Sequence, residues 1–406
     1  LAPWIAPYDP LRQDLIPGDR VVFKGTRRPA NIALRKLVDR LVASSAPSAS
    51  ESLPSARLVI GGDTYFGEYY QAKRASEAEL NYLDAFGYDY SAERLSPLFR
   101  RADFSVVNLE CALTSRTSSG LSGRKSYILG GKPRETIAAL KNLNIGGVLL
   151  GNNHAMDYEA AGLEDTLNSL SGEGILISGA GRNKMDAQRP ILVTFDVDGI
   201  SFKTAILSGY EYNDSHEEMR FYAGSERPGV NNIHMGRMRE QIAALKSAGY
   251  FTIVSPHWGS NYCFRSYSQS TMASRLIDCG ADLILGHGPH MLNEIRQVDG
   301  VWVVYSLGNL IFNSEGEYER HHLQPYSLVA ELELARTGVG VTGMLNLYPI
   351  VSCNQMTQFQ PTFVDDRQFQ HVMNLLTGTH YDPSELASSL RTGTKDGRHC
   401  LTVQLF

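Results

Sequence analysis

Five short apolar runs along the chain each end in polar residues. Leu58-Val59-Ile60 leads into Gly61-Gly62-Asp63, and Phe104-Ser105-Val106-Val107 leads into Asn108-Leu109-Glu110. Gly147-Val148-Leu149-Leu150 leads into Gly151-Asn152-Asn153-His154. Phe251-Thr252-Ile253-Val254 leads into Ser255-Pro256-His257, and Leu283-Ile284-Leu285 into Gly286-His287-Gly288-Pro289-His290. Runs that are apolar throughout, rather than alternating, predict strands buried on both faces. Between them lie segments with helical spacing, Glu135–Leu143, Glu159–Leu170, Met235–Ala248 and Ser268–Cys279. Strands alternating with helices predict an α/β fold. In such sheets ligands bind at the carboxyl ends of the strands, where all five runs carry their polar residues.

After Tyr305 the texture changes. Leu328–Leu334 and Val341–Leu347 alternate as antiparallel strands do, and Gln368–Leu376 and Pro383–Leu390 have helical spacing. At the other end, Ala30–Ala43 has helical spacing, and SSAPSASESLPSA over 44–56 reads as a linker by composition. Ser115–Lys125, rich in Ser and Gly, reads as a mobile loop. The expected organisation is an N-terminal extension and linker (1–56), a catalytic domain (57–350) and a C-terminal helical and strand appendage packed on it (351–406).

The chain has 406 residues, 43% of them hydrophobic, and a formal charge of -5. That supports a sizeable core and disfavours nucleic acid or an acidic lipid surface as partner. No apolar run approaches the ~20 residues of a membrane-spanning helix. Five cysteines without a CxxC argue against a disulfide scaffold or zinc ribbon and fit a cytoplasmic location.

Asp63, Glu110, Asn153, His154, His257, His287 and His290 are expected to meet above one sheet. Each alone reads as ordinary, a turn aspartate or a hydrogen-bonded histidine. Together they form a donor set suited to Zn, Mn or Fe(II), and a carboxylate shared by two ions activates water and clamps an oxyanion.

GGDTYFG, NLECALT, GNNHAMDY, HWGSNY, GHGPH and VVYSLGNLIF resemble, in order, the motifs of the CapA-type capsule-synthesis family. The resemblance runs from about Arg57 to Pro349. It implies the calcineurin-like metallophosphatase fold, a four-layer sandwich of two mixed β-sheets flanked by helices. Carried over by motif, Asp63 serves a first metal and Glu110 bridges. Asn153, His257 and His287 serve the second, His154 lies over the site as acid or oxyanion donor, and His290 completes the first shell. Two departures from the wider phosphatase pattern weaken that set. Thr64 and Tyr65 follow Asp63 where Asp-X-His is usual, and His287 and His290 are separated by two residues rather than one.

Those departures leave His290 available as an acid or base. Some members resembling this family invert a Cα centre of a lasso-type precursor peptide without metal or cofactor. That resemblance implies an early Asp paired with a late His, here Asp9 and His290, with a precursor-peptide partner and a leader-recognition protein. The expectation is therefore a cofactor-free peptide epimerase with Asp9, His290 and His154 as its catalytic groups. The alternative is a metal-dependent phosphoesterase, or an amidase in poly-γ-glutamate chemistry, holding a Zn, Mn or Fe pair. Lys132, with Arg124 and Lys125 nearby, is a candidate for neutralising a substrate carboxylate, and Trp258 and Tyr262 are candidates for lining a side-chain pocket. Asn309 is a candidate for orienting a site histidine, or simply makes a turn.

Overall fold

The computed structural model describes residues 56–314, 316–338, 340–377 and 390–406. Asp9, the helical pattern over 30–43, the 44–55 part of the linker and nearly all of the Pro383–Leu390 pattern lie outside the described residues.

All five apolar runs are strands, and all are interior. Ala56–Tyr65, Phe104–Leu109, Gly147–Leu149 and Leu176–Ser178 run parallel, side by side, in a ten-stranded first sheet. The same sheet continues beyond Ala56–Tyr65 through antiparallel strands Tyr326–Thr337, Gly340–Val351, Arg398–Gln404 and Arg391–Lys395. The C-terminal appendage thus supplies two edge strands of the main sheet. A second sheet of six strands has Tyr250–His257 and Leu283–Leu285 at its centre, parallel to Ile200–Tyr210 and Val301–Val304. Both sheets are mixed.

The two sheets pack face to face. Leu58, Ile60, Val106 and Leu149 of the first share one buried apolar cluster with Ile206, Ile253, Leu283 and Val304 of the second. Alternation along each strand sends the neighbouring side chains outward. Val59, Val107 and Val148 meet residues of helices Pro133–Asn142 and Glu159–Gly172. Val254, Ile284 and Val303 meet those of Met235–Ser247 and Tyr267–Asp278. The layers are helix, sheet, sheet, helix, the four-layer sandwich implied by the sequence motifs. Among the described residues no helix is long and apolar enough to cross a membrane.

Two details set up the site. The register slips around Asp63 in its pairing with both Asn309–Phe312 and Phe104–Leu109. Bulges of this kind re-aim a side chain. Gly62 is required beside it, because a Cβ there would lie 1.9 Å from the Gly308 carbonyl oxygen.

Candidate metal centre

The carboxyl ends of both sheets converge on one buried cluster. Asp63, Glu110, His154, His257, His287 and His290 are all buried there, as are Asn108 and Asn152 beneath them. Single ligand atoms of Asp63, Glu110 and His290 all lie within 4.8 Å of one another.

Glu110 sits at the centre. Its Oε1 lies 3.7 Å from His257 Nε2, 3.7 Å from His290 Nε2 and 3.9 Å from His154 Nε2. These separations exceed a hydrogen bond. They match two ligands on one ion, since metal bonds of 2.0–2.2 Å in tetrahedral array set ligand atoms about 3.4 Å apart. Both Glu110 oxygens are buried without a hydrogen-bond partner.

His287 makes the same point through its tautomer. Ser255 Oγ donates its single hydrogen to the Leu285 carbonyl at 2.9 Å, so it accepts from His287 Nε2 at 2.8 Å. The proton on Nε2 leaves a bare lone pair on Nδ1 in the neutral ring. That Nδ1 is buried without a hydrogen-bond partner and lies 3.6 Å from Asp63 Oδ1. Asn153 Oδ1, on the adjoining strand-end loop, is also buried and unpartnered. Two acceptors facing each other in a dry site repel unless a cation or proton lies between them. The residues present therefore fit a divalent cation, held by Asp63, Glu110 and His290, with His287 Nδ1 facing Asp63 and Asn153 on the adjoining loop.

The remaining hydrogen bonds orient these ligands, as partners behind a metal ligand do. Asn108 Nδ2 donates to Asp63 Oδ1 at 2.8 Å and lies 3.2 Å from His257 Nδ1. Asn152 Nδ2 donates to Asn108 Oδ1 at 3.2 Å and to the Leu109 carbonyl at 2.9 Å. Its Oδ1 accepts from the backbone of His154 and Ala155, both at 3.0 Å. His290 Nδ1 lies 2.9 Å from Asn309 Oδ1 and 3.1 Å from Asp63 Oδ2. Both are acceptors, so Nδ1 carries the hydrogen and Nε2 faces Glu110.

The electrostatics agree. Burial pushes Glu110 well above the usual carboxylate range. Burial also acts to raise Asp63, but the imidazoles of His287 and His290 beside it outweigh that and hold it well below its ordinary value. Burial acts to lower His290, yet the charges of Glu110 and Asp63 raise it to about 9. Burial lowers His257 to about 3 and His154 to about 4, leaving both rings neutral at pH 7.

His154 stands slightly apart. Its Nδ1 lies 2.6 Å from Asp157 Oδ2, which also accepts from Leu129 N at 2.6 Å. With Nδ1–H bonded to the carboxylate, Nε2 is the free acceptor over the cluster.

The substrate-binding candidates divide. Tyr262 reaches the site: its ring centroid lies 5.6 Å from that of His290, and its outer face stacks on His321 at 4.7 Å. Both Tyr262 (φ 55°) and His290 (φ 59°) are left-handed, a strain that gathers at functional sites. Trp258 is corrected. It is fully buried, bonds the Tyr305 carbonyl through Nε1 at 2.8 Å and packs in the helix-side core. Lys132 is corrected as the cation of this site. It is exposed at the start of helix Pro133–Asn142, with its backbone N bonded to Glu68 at 3.0 Å. The cation inside the site is Lys125, whose Nζ touches Asp157, His154 and the Asn153 carbonyl. Lys125 is the neighbour of Lys132 named from the sequence, and it, not Lys132, enters the site. Asp157 was readable as the residue three after His154, and Asn108 as a polar residue at the end of a buried run.

The bacterial capsule synthesis protein PGA_cap family matches residues 57–314. The chain is 28% identical over 292 residues to PGA biosynthesis protein CapA of Bacillus subtilis, covering 72% of this chain and 70% of that protein. It is 28% identical over 240 residues to capsule biosynthesis protein CapA of Bacillus anthracis, covering 57% and 56%. It is 31% identical over 222 residues to a probable polyglutamine synthesis accessory protein of Mycobacterium tuberculosis, covering 53% and 57%. The chain thus spans little more than half the length of the last two. The calcineurin-like phosphoesterase YfkN of Bacillus subtilis aligns with 80% of this chain and 99% of its own, at 13% identity and a TM-score of 0.42.

Proposed function

The chain belongs to the bacterial capsule synthesis protein PGA_cap family, and we propose that within it the chain is a metal-dependent hydrolase. The substrate class we assign first is the γ-glutamyl amide, a bond suited to the PGA biosynthesis and polyglutamine synthesis roles named for its relatives, with phosphoesters as the alternative bond. One observation carries the metal dependence: Asp63, Glu110 and His290 bring ligand atoms within 4.8 Å of one another, and both Glu110 oxygens are buried without a hydrogen-bond partner. A divalent cation there supplies Lewis acidity toward a carbonyl or phosphoryl oxygen.

The chain's own residues do the rest. Asp157 fixes the His154 tautomer, so Nε2 takes a proton at the mouth of the cluster and returns it to the leaving group. Asn108 and Asn309 hold His257 and His290 in place. The Tyr262 ring covers His290 and narrows the access of water to it.

The epimerase reading draws less support. It needs His290 as a free base, but Nδ1 is engaged by Asp63 and Asn309 and Nε2 faces Glu110. Its other base, Asp9, lies outside the described residues. The precursor peptide and leader-recognition partner stand or fall with that reading.

The test is to strip the protein with chelator, reload it with Mn2+ or Zn2+, and assay γ-glutamyl oligomers and aryl phosphoesters. Hydrolysis should require the metal and be lost in Asp63→Asn and Asn153→Ala. Indifference to metal, with deuterium entering one Cα of a peptide in heavy water, would overturn the hydrolase reading in favour of epimerisation.

A further inference from the structure

Lys125 is the buried charge that the proposed hydrolysis leaves unexplained. It comes from the excursion between Leu113 and Gly130, not from a strand end, and its side chain is only 10% exposed. The excursion is pinned over the site by one residue. Ser119 Oγ donates to the Asp157 carbonyl at 2.6 Å, Leu129 N donates to Asp157 Oδ2 at 2.6 Å, and Lys125 pairs with Asp157 Oδ1. The expected mobile loop is thus tied down at the point where it meets the cluster.

The ammonium has three hydrogens and three neighbours. One goes to Asp157 Oδ1 and one to the Asn153 carbonyl at 2.7 Å. His154 Nδ1 lies 3.1 Å away, but it carries its own hydrogen toward Asp157, so it does not accept. The third hydrogen faces the Phe221 ring, whose centroid is 5.5 Å from Nζ.

We propose that Lys125 is the positioning residue of this site, setting both the direction of Asn153 and the tautomer of His154 from one ammonium. The bond to the Asn153 carbonyl fixes the peptide between Asn153 and His154, and so the origin of both side chains. Lys125 holds Asp157 by Oδ1, which aims Oδ2 at His154 Nδ1 at 2.6 Å, keeps the hydrogen on that nitrogen and leaves Nε2 bare over Glu110. A point charge does this and a planar fork does not, so arginine is no substitute. The inference deepens the metal reading for Asn153, whereas its His154 half holds whatever the site catalyses.

The first measurement is histidine 15N NMR on metal-free protein. In the parent, His154 should show a protonated Nδ1 and a bare Nε2. Lys125→Met should mix the two tautomers, and Lys125→Arg should not restore the parent spectrum. The second is calorimetric titration with MnCl2. Partners behind a ligand typically hold 10–100-fold of metal affinity, and Lys125→Met should lose about tenfold. Lys125→Met leaves Asp157 buried and unpaired. Lys125→Met combined with Asp157→Asn removes that charge, and should keep the Mn2+ loss through the Asn153 contact alone. Lys141→Met, at a surface pair with Glu173, is the control and should change neither readout. A parent-like His154 spectrum together with Mn2+ affinity within twofold, in both Lys125 variants, would overturn the proposal. Failure of the parent to bind Mn2+, with the tautomer still shifting in Lys125→Met, would sink the metal reading and leave the His154 half standing.

Discussion

Two clusters of charge lie on one strand and are built to opposite rules, the first around the buried Glu331 and Glu333, the second buried throughout. At the start of Ala56–Tyr65, Arg57 joins Arg101 and Lys395 against Glu331, Glu333 and Asp396. Six residues later, about 20 Å along the strand, Asp63 opens the site. In the first cluster every carboxylate is matched. Glu331 takes both oxygens' worth of bonds from Arg101, at 2.7 and 2.8 Å, with Tyr348 OH at 2.7 Å. Glu333 is bonded by Asn346 at 2.6 Å and paired with Lys395. In the second, Glu110 has two unpartnered oxygens and faces three imidazoles beyond hydrogen-bond range. Matched charge fastens the C-terminal hairpin to the sheet. Unmatched carboxylate oxygens surrounded by ligand-type side chains, as at Glu110, leave a place for a cation.

The largest expected effect tests the matched cluster. Arg101→Met strands the fully buried Glu331 and should cost about 3 kcal/mol, the lower end for breaking a buried pair because Arg57 stays nearby. Urea denaturation with metal held constant measures it. A loss under about 1 kcal/mol, the value of a surface pair, would mean the cluster is solvated and the comparison false.

The next effect tests the orientation of a ligand. Asn309→Ala removes the 2.9 Å acceptor behind His290. Mn2+ affinity should fall about tenfold, since Asp63 still accepts from the same nitrogen. Unchanged affinity would place His290 outside the ligand set and revive it as a free base.

How much of this was legible follows from what each residue does. Strands buried on both faces are continuous apolar runs, so the five strand ends and their ligand types could be read directly. Asn309 was readable because it ends the gap after a strand and precedes an apolar run. Trp258 was misread, although alternation gave the answer: with His257 turned to the site, the next side chain points away from it. It packs instead over Gly286, where a Cβ would lie 2.5 Å from its Nε1. Lys125 could be named only as a neighbour of Lys132, without a role of its own. Its meaning lies in three contacts across 28 to 32 residues of sequence, and an irregular excursion has no period to place it. Lys132, between the Gly130–Gly131 strand and helix Pro133–Asn142, looked the better placed cation on the same grounds.

The smallest effect separates the clusters most sharply. Glu110→Gln is isosteric and removes a carboxylate that burial disfavours. In the folded, metal-free chain the Glu110 pKa lies well above its ordinary 4.5. The folded state therefore holds this proton longer than the unfolded state, and stability falls as pH rises above 4.5 toward the folded value. Metal-free Glu110→Gln should be about 1 kcal/mol more stable than the parent at pH 7. The difference should vanish below about pH 4, where both states of the parent are protonated. Added Mn2+ should stabilise the parent by mass action and leave the variant nearly unmoved. Thermal melts at both pH values, with and without MnCl2, read all of this. Should Glu110→Gln instead destabilise as Arg101→Met does, Glu110 would be a paired structural charge like Glu331. The distinction between the two clusters would then be lost, and with it the argument that the site waits for a cation.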